Sequence, residues 1–303
     1  METRDRKDGT PCGKTNDIRF FMERWVQTAR AAMHIFQSRD MNVFAGNATL
    51  YILMAMVPFF TLAAGLVNFL PKTYLKDFSV MLASVFPNIP QIQSMVNTMI
   101  SRVNPETGTV VVSISLLIML WSASNGVSAL QLGLTRISSD SPPSVIRRRL
   151  SAVIHTVLFI GLIAALLIFR VYRSSLSEFG AKLSDLFHQP QISVVFDTIL
   201  KDGGLITSFA MGLIVLFAYT FLQSHIHRIQ DLLPGTVFTT IFWILFSELF
   251  EWFISQFWNA SALYGSFASV FLTAMWLKTI ITILFIGASL NEALRLEKED
   301  DKI

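Results

Sequence analysis

Residues 261–294 read "SALYGSFASVFLTAMWLKTIITILFIGASLNEAL". From Ser266 to Leu290 this is a stretch fit for the inside of a bilayer, and Lys278 stands in its middle. Apolar runs of about 18 residues or more are the sign of membrane-spanning helices. A cation at the centre of one is costly, so it needs a partner or water. The stretch therefore predicts both a membrane protein and an intramembrane polar site.

The composition agrees. Charged residues make up 15% of the 303-residue chain and hydrophobic residues 52%, whereas soluble domains carry about 25% charge. Mean hydropathy is +0.53. The formal charge of +3 and pI near 9.1 fit basic loops at lipid headgroups better than a nucleic-acid surface. Membrane lipids are the expected partners and nucleic acid is not; homo-oligomerisation stays open. Cys12 is the only cysteine, so neither an internal disulfide nor a cysteine metal site can form. No long apolar run opens the chain, so no cleavable signal peptide is expected.

Six runs are long enough to span: Val43–Leu70, Thr109–Leu132, Leu150–Val171, Leu205–Leu222, Thr236–Phe257 and Ser266–Leu290. Backbone amides in lipid must be paired within the segment, so each is a helix. The expected fold is all-α, a polytopic membrane protein of six transmembrane helices over residues 43–290. A partly helical tail precedes it at 1–42, and a second tail follows at 291–303. Pro58 lies inside the first span and removes a helix hydrogen bond, which predicts a kink. Lys and Arg number sixteen on the side of the termini and seven on the other. The positive-inside rule then places both termini in the cytoplasm. The outer connections 71–108 and 174–201 carry apolar residues at helical spacing, such as Leu75, Phe78, Leu82 and Val85. They predict amphipathic helices on the outer face.

Lys278 is expected to have an acidic partner. Glu248 and Glu251, three apart on one face of the fifth span, are the candidates. With the hairpin midpoint near Ser261, Glu248 and Lys278 differ in height by four residues, roughly 6 Å. The expectation is a Lys278–Glu248 pair in the bundle interior. It could serve function or only fix helix register. Asn47 and Asn125 are the softer polar members of the site. The small residues around Asn125 suit close helix packing. His225, His227 and Asp231 make a weak metal signal, since His-x-His rings diverge on a helix. His155 reads as a packing residue. No metal site and no cofactor are expected. The absence of G-x-S-x-G, H-E-x-x-H and P-loop patterns argues against an enzyme.

Three stretches carry a resemblance: "DMNVFAGNATLYILMAMVPFF", "LLIMLWSASNGVSALQLGLTRI", and "DLLPGTVFTTIFWILFSELFEWFISQF" with "ALYGSFASVFLTAMWLKTIITILFIGASLN". The Pro-Gly, the Tyr-Gly and the closing Gly-Ala-x-x-Asn stand at the spacing of the YihY/BrkB family. The chain resembles that family from about Ser38 to Leu294. The resemblance implies six transmembrane helices in a bacterial inner membrane, links to envelope integrity and virulence, and movement of lipids or other amphiphiles. Members once catalogued as ribonuclease BN bring in RNA processing as a remote alternative. Two positions depart from the pattern. Ser289 stands where the family has an acid, and Lys278 where it has an aromatic or aliphatic residue. The leading expectation is a translocator without its own ATPase; the alternative is a non-transporting envelope scaffold or regulator.

Overall fold

Residues 14–66, 108–139, 144–171, 203–223, 228–257 and 261–300, with Lys182, Ser184 and Leu186, are described by the computed structural model of the chain. Among them every regular element is a helix: α1 Lys14–Ser38, α2 Met41–Leu66, α3 Gly108–Ile137, α4 Val145–Val171, α5 Gly203–Phe221, α6 Ile229–Phe257 and α7 Ser261–Asp300. The outer amphipathic helices expected over 71–108 and 174–201, and the pair His225 and His227, lie outside the described residues.

Four stretches are long and apolar enough to cross a membrane: Met41–Phe59, Ser113–Ile137, Ile229–Gln256 and Val270–Glu299. A shorter apolar helix runs over Ser208–Phe221. α2 continues through Pro58 to Leu66.

The tail ahead of the spans holds a 25-residue amphipathic helix. Thr28, Ala32, Ile35 and Phe36 are buried, and their spacing of four, three and one marks a single helix face. That face packs on α7. Arg24 Nε meets Glu297 Oε1 at 2.5 Å, and the Thr28 hydroxyl donates to Glu297 Oε2 at 3.1 Å. Asp40 turns the chain from α1 into α2 with φ 58°. Aspartate tolerates this left-handed region better than most residues.

Around the bundle, neighbours run α4, α3, α2, α7, α6, α5. The ring closes where Phe159 of α4 meets Phe217 of α5 edge to face, centroids 5.0 Å apart. The buried side chains gather at the end that holds the start of α2 and the finish of α7, here called the basal end. Met41, Ala45 and Ala48 meet Leu134, Ile137, Ala152, Val215, Tyr219, Leu232 and Phe285 there. Exposed apolar side chains line the flanks at both ends, as with Val43, Leu150 and Val237 near the basal end and Leu117, Leu249 and Phe271 toward the other, where Phe250, Ile254 and Leu272 are buried.

At the α6–α7 crossing two backbones come very close. A Cβ on Gly287 would collide with the Thr239 hydroxyl and stand 2.6 Å from the Tyr219 hydroxyl and 2.9 Å from Gly235 O. A Cβ on Gly235 would collide with Gly287 O. Only glycine lets the two backbones come this close. Gly287→Ala is expected to lower stability by about 1–3 kcal/mol through overpacking. Gly161→Ala, whose new methyl meets nothing within 4 Å, should be neutral or stabilising by up to about 1 kcal/mol. Thermal unfolding of the two variants in detergent checks this contrast.

Candidate functional site

At the basal end of the α6–α7 crossing, buried polar groups form one connected cluster. Pro234 has no N–H and sits inside the first turns of α6, which leaves the carbonyl of residue 230 without its helix donor. Asn291 of α7 ties down two other backbone groups of the same turns. Its Oδ1 accepts from Gly235 N at 2.6 Å, and its Nδ2 donates to Leu232 O at 3.1 Å. One buried amide thus binds both a donor and an acceptor of the facing helix. A second link lies one turn further in. The Tyr219 hydroxyl of α5 donates to Leu284 O of α7 at 2.7 Å and pairs with the Thr239 hydroxyl of α6, also at 2.7 Å. Tyr219 and Thr239 are fully buried. Three helices are therefore pinned by three side chains. In an apolar setting each unpaired group would be expensive, so the set holds together as a unit.

Next to the Asn291 clamp stands a buried carboxylate. Glu292 is 5% exposed and is held by Arg295 through Nε–Oε2 at 2.9 Å and Nη2–Oε1 at 2.8 Å. Arg295 also reaches Glu299 at 2.7 Å. Lys298 of α7 pairs with Asp231 of α6 at 2.6 Å. A small cleft, about 10 Å³, is lined by Ser138, Gln223, Asp231, Asn291, Glu292 and Arg295. That volume has room for about one water. Among the described residues, Gln223 Oε1 is buried without a hydrogen-bond partner.

The residues singled out from the sequence do not assemble into one site. Lys278 and Glu248 are both exposed and form no ion pair among the described residues, which corrects the expected interior pair. The register expectation was nearly right and the direction was wrong. Trp276 Nε1 donates to Ser247 Oγ at 3.3 Å, so these two residues mark the facing sides of α6 and α7. By that register Lys278 lies three residues, about 4.5 Å, from the height of Glu248. Glu248 is one residue past Ser247, about 100° around α6, and Lys278 is two past Trp276, about 200° around α7. Both side chains turn outward.

Glu251 and Asn47 are exposed too. Asn125 is partly buried and accepts a hydrogen bond from Arg149 Nη1 of α4. The Arg149 guanidinium also lies over the Trp121 ring, 5.2 Å from its centroid. His155 is held by Ser151 and Gln131, with ring Nδ1 2.6 Å from Ser151 O and 3.3 Å from Gln131 Nε2. It is a satisfied packing residue. Ser289 is fully buried and donates to Phe285 O at 2.9 Å. A buried acid stands three residues on, at Glu292.

Tyr219, Thr239, Glu292 and Arg295 escaped the sequence reading. Glu292 and Asn291 follow the Gly-Ala pair by about one turn, so their spacing placed them on the crossing face. Tyr219 left a weaker signal, a lone hydroxyl near the end of an apolar run. Among the described residues no group of three His, Cys, Asp or Glu side chains is placed to hold a metal ion.

Asn291→Leu is expected to expose the first turns of α6 to exchange. The Gly235 amide should lose protection from hydrogen exchange, and stability should fall by about 1–3 kcal/mol, the cost of an orphaned buried donor. Asn291→Asp keeps the acceptor for Gly235 and should retain more of that protection.

A family model described as Virulence factor BrkB matches residues 32–302. A Bacillus subtilis (strain 168) protein named "Putative ribonuclease-like protein YfkH" is 23% identical over 272 residues, covering 89% of this chain and 94% of that protein. No solved structure matches.

Proposed function

The chain belongs to the virulence factor BrkB family, and from that premise we propose that it is an integral membrane translocator of lipids or other amphiphiles, working without an ATPase of its own. The hydrogen-bonded joint at the basal end carries this reading: polar and charged side chains kept among apolar helices are candidates for a gate or a path through a membrane protein. The joint consists of the Tyr219–Thr239–Leu284 and Asn291–Gly235 links and the apolar core around them. In this reading α4 and α5 join the four long apolar helices to make six spans in a bacterial inner membrane. The basal end and both termini face the cytoplasm, where arginines such as Arg147 and Arg149 meet anionic headgroups.

The small size of the cleft favours a second reading, a non-transporting scaffold or regulator of an envelope complex. Room for about one water near Glu292 suits a packed structural joint. An RNA-processing role has behind it only the name of the Bacillus relative.

Purified protein in liposomes is expected to speed the inversion of a fluorescent phospholipid relative to protein-free vesicles. Tyr219→Phe removes the hydroxyl links of this joint and should change that rate while costing about 1 kcal/mol of stability. Vesicles that move neither lipid nor ion under any gradient would turn the reading to the scaffold. Degradation of RNA by the pure protein would overturn both.

A further inference from the structure

Arg147 and Arg149 both stand in the opening turn of α4, and the head of Arg149 turns inward. The α3–α4 turn and the Gln131–Ser151 bond both centre this hairpin on residue 141. By that count Arg149 stands level with residue 133, while Asn125 and Trp121 lie about two to three helical turns deeper. Asn125 is at the middle of Ser113–Ile137, a stretch apolar enough to span. The Arg149 guanidinium nevertheless donates to Asn125 and lies over the Trp121 ring, 5.2 Å from its centroid. An arginine near a membrane edge ordinarily snorkels outward to the headgroups. This one is drawn the other way, along the groove between two helices.

Both groups that hold this guanidinium are neutral. A guanidinium carries several N–H donors in a planar fork, so one amide oxygen and one ring face leave its charge and further donors to be met. The site is open on the flank, where Arg149 is exposed and Trp121 is 66% exposed. Beside it on α4 runs an apolar strip. Ile146, Leu150, Val153 and Val157 are all exposed, and their spacing of four, three and four marks one helix face. Val153 lies only about 40° around the helix from Arg149. A forked cation next to an exposed apolar strip complements a phospholipid, whose anionic phosphate adjoins its acyl chains.

We propose that the α3–α4 flank binds the phosphate of a membrane phospholipid. Arg149 pairs with the phosphate, Asn125 and Trp121 hold the guanidinium in place, and the acyl chains lie on the strip from Ile146 to Val157. A cation below the headgroups is tolerated when the bilayer thins and admits water beside it, so the bound phosphate sits deeper than its neighbours. The site needs the spans to lie in a membrane and does not need the chain to move lipid. It therefore stands or falls separately from the translocator reading.

The test uses the full chain in detergent micelles, titrated with phosphatidylglycerol and read by native mass spectrometry. The wild type should retain a tightly bound phospholipid. Arg149→Ala should weaken that binding by about tenfold or more, through loss of a charge-assisted pair. Arg149→Lys keeps the charge, loses the fork and should weaken binding several-fold; it carries the test if the alanine variant does not fold. Arg147→Ala removes the same charge about 200° around α4 and should change little. Diacylglycerol with the same chains, and inorganic phosphate, should each bind far more weakly. A wild type that retains no phospholipid would overturn the proposal. So would Arg149 variants that bind like the wild type, or an Arg147→Ala loss as large as that of Arg149→Ala. Equal binding of diacylglycerol would leave only an apolar groove, equal binding of free phosphate only a soluble-anion site, and either result also sinks it.

Discussion

Two helix backbones touch at Gly235 and Gly287, and the basal architecture depends on that contact. Without side chains at these positions, α6 and α7 approach closely enough for Asn291 to reach the opening turns of α6 and for Tyr219 to reach Leu284 O. Pro234, which lacks an N–H, removes one helix bond from the same turns that Asn291 grips. The Pro-Gly and Gly-Ala-x-x-Asn patterns are therefore two halves of one joint. Among the described residues, the buried core lies mainly around this joint and the ends of α2 and α3 beside it.

Most of the fold was legible because lipid imposes a crude rule: long apolar runs become helices. The sequence ranges 43–70, 109–132, 150–171, 205–222, 236–257 and 266–290 each overlap a helix, and the helices extend past several of them at the basal end. Those extensions were hidden because they are polar, as in Arg295 to Asp300, and hydropathy cannot tell a helix leaving the membrane from a tail. The helix α1 was foreseen only as partial helicity, although its buried face follows ordinary amphipathic spacing.

The candidate site was less legible, for a geometric reason. Chain counting gives height along a hairpin, and the height of Glu248 against Lys278 came out within a residue of the observed register. It gives no direction around the axis. In a soluble helix the apolar stripe supplies that direction. Here α6 and α7 are apolar on nearly every side, so nothing in the pattern says which side is inward. The residues that do point inward, Tyr219, Thr239, Asn291 and Glu292, are fixed by the glycine contact, whose meaning appears only once the two backbones are placed together. Resemblance at the level of motifs located the joint; it did not reveal that the joint's amide and phenol bind backbone groups.

α7 is a single helix of 40 residues, about 60 Å long, while the hydrocarbon core is about 30 Å thick. Close to half of it must project beyond the oil. Its projecting end carries Glu297, bound to Arg24 and Thr28 of α1, and Lys298, bound to Asp231. The helix is thus a stiff rod with a grip at its wet end. The glycine crossing at Gly235 and Gly287 lies along this rod between its gripped end and Lys278.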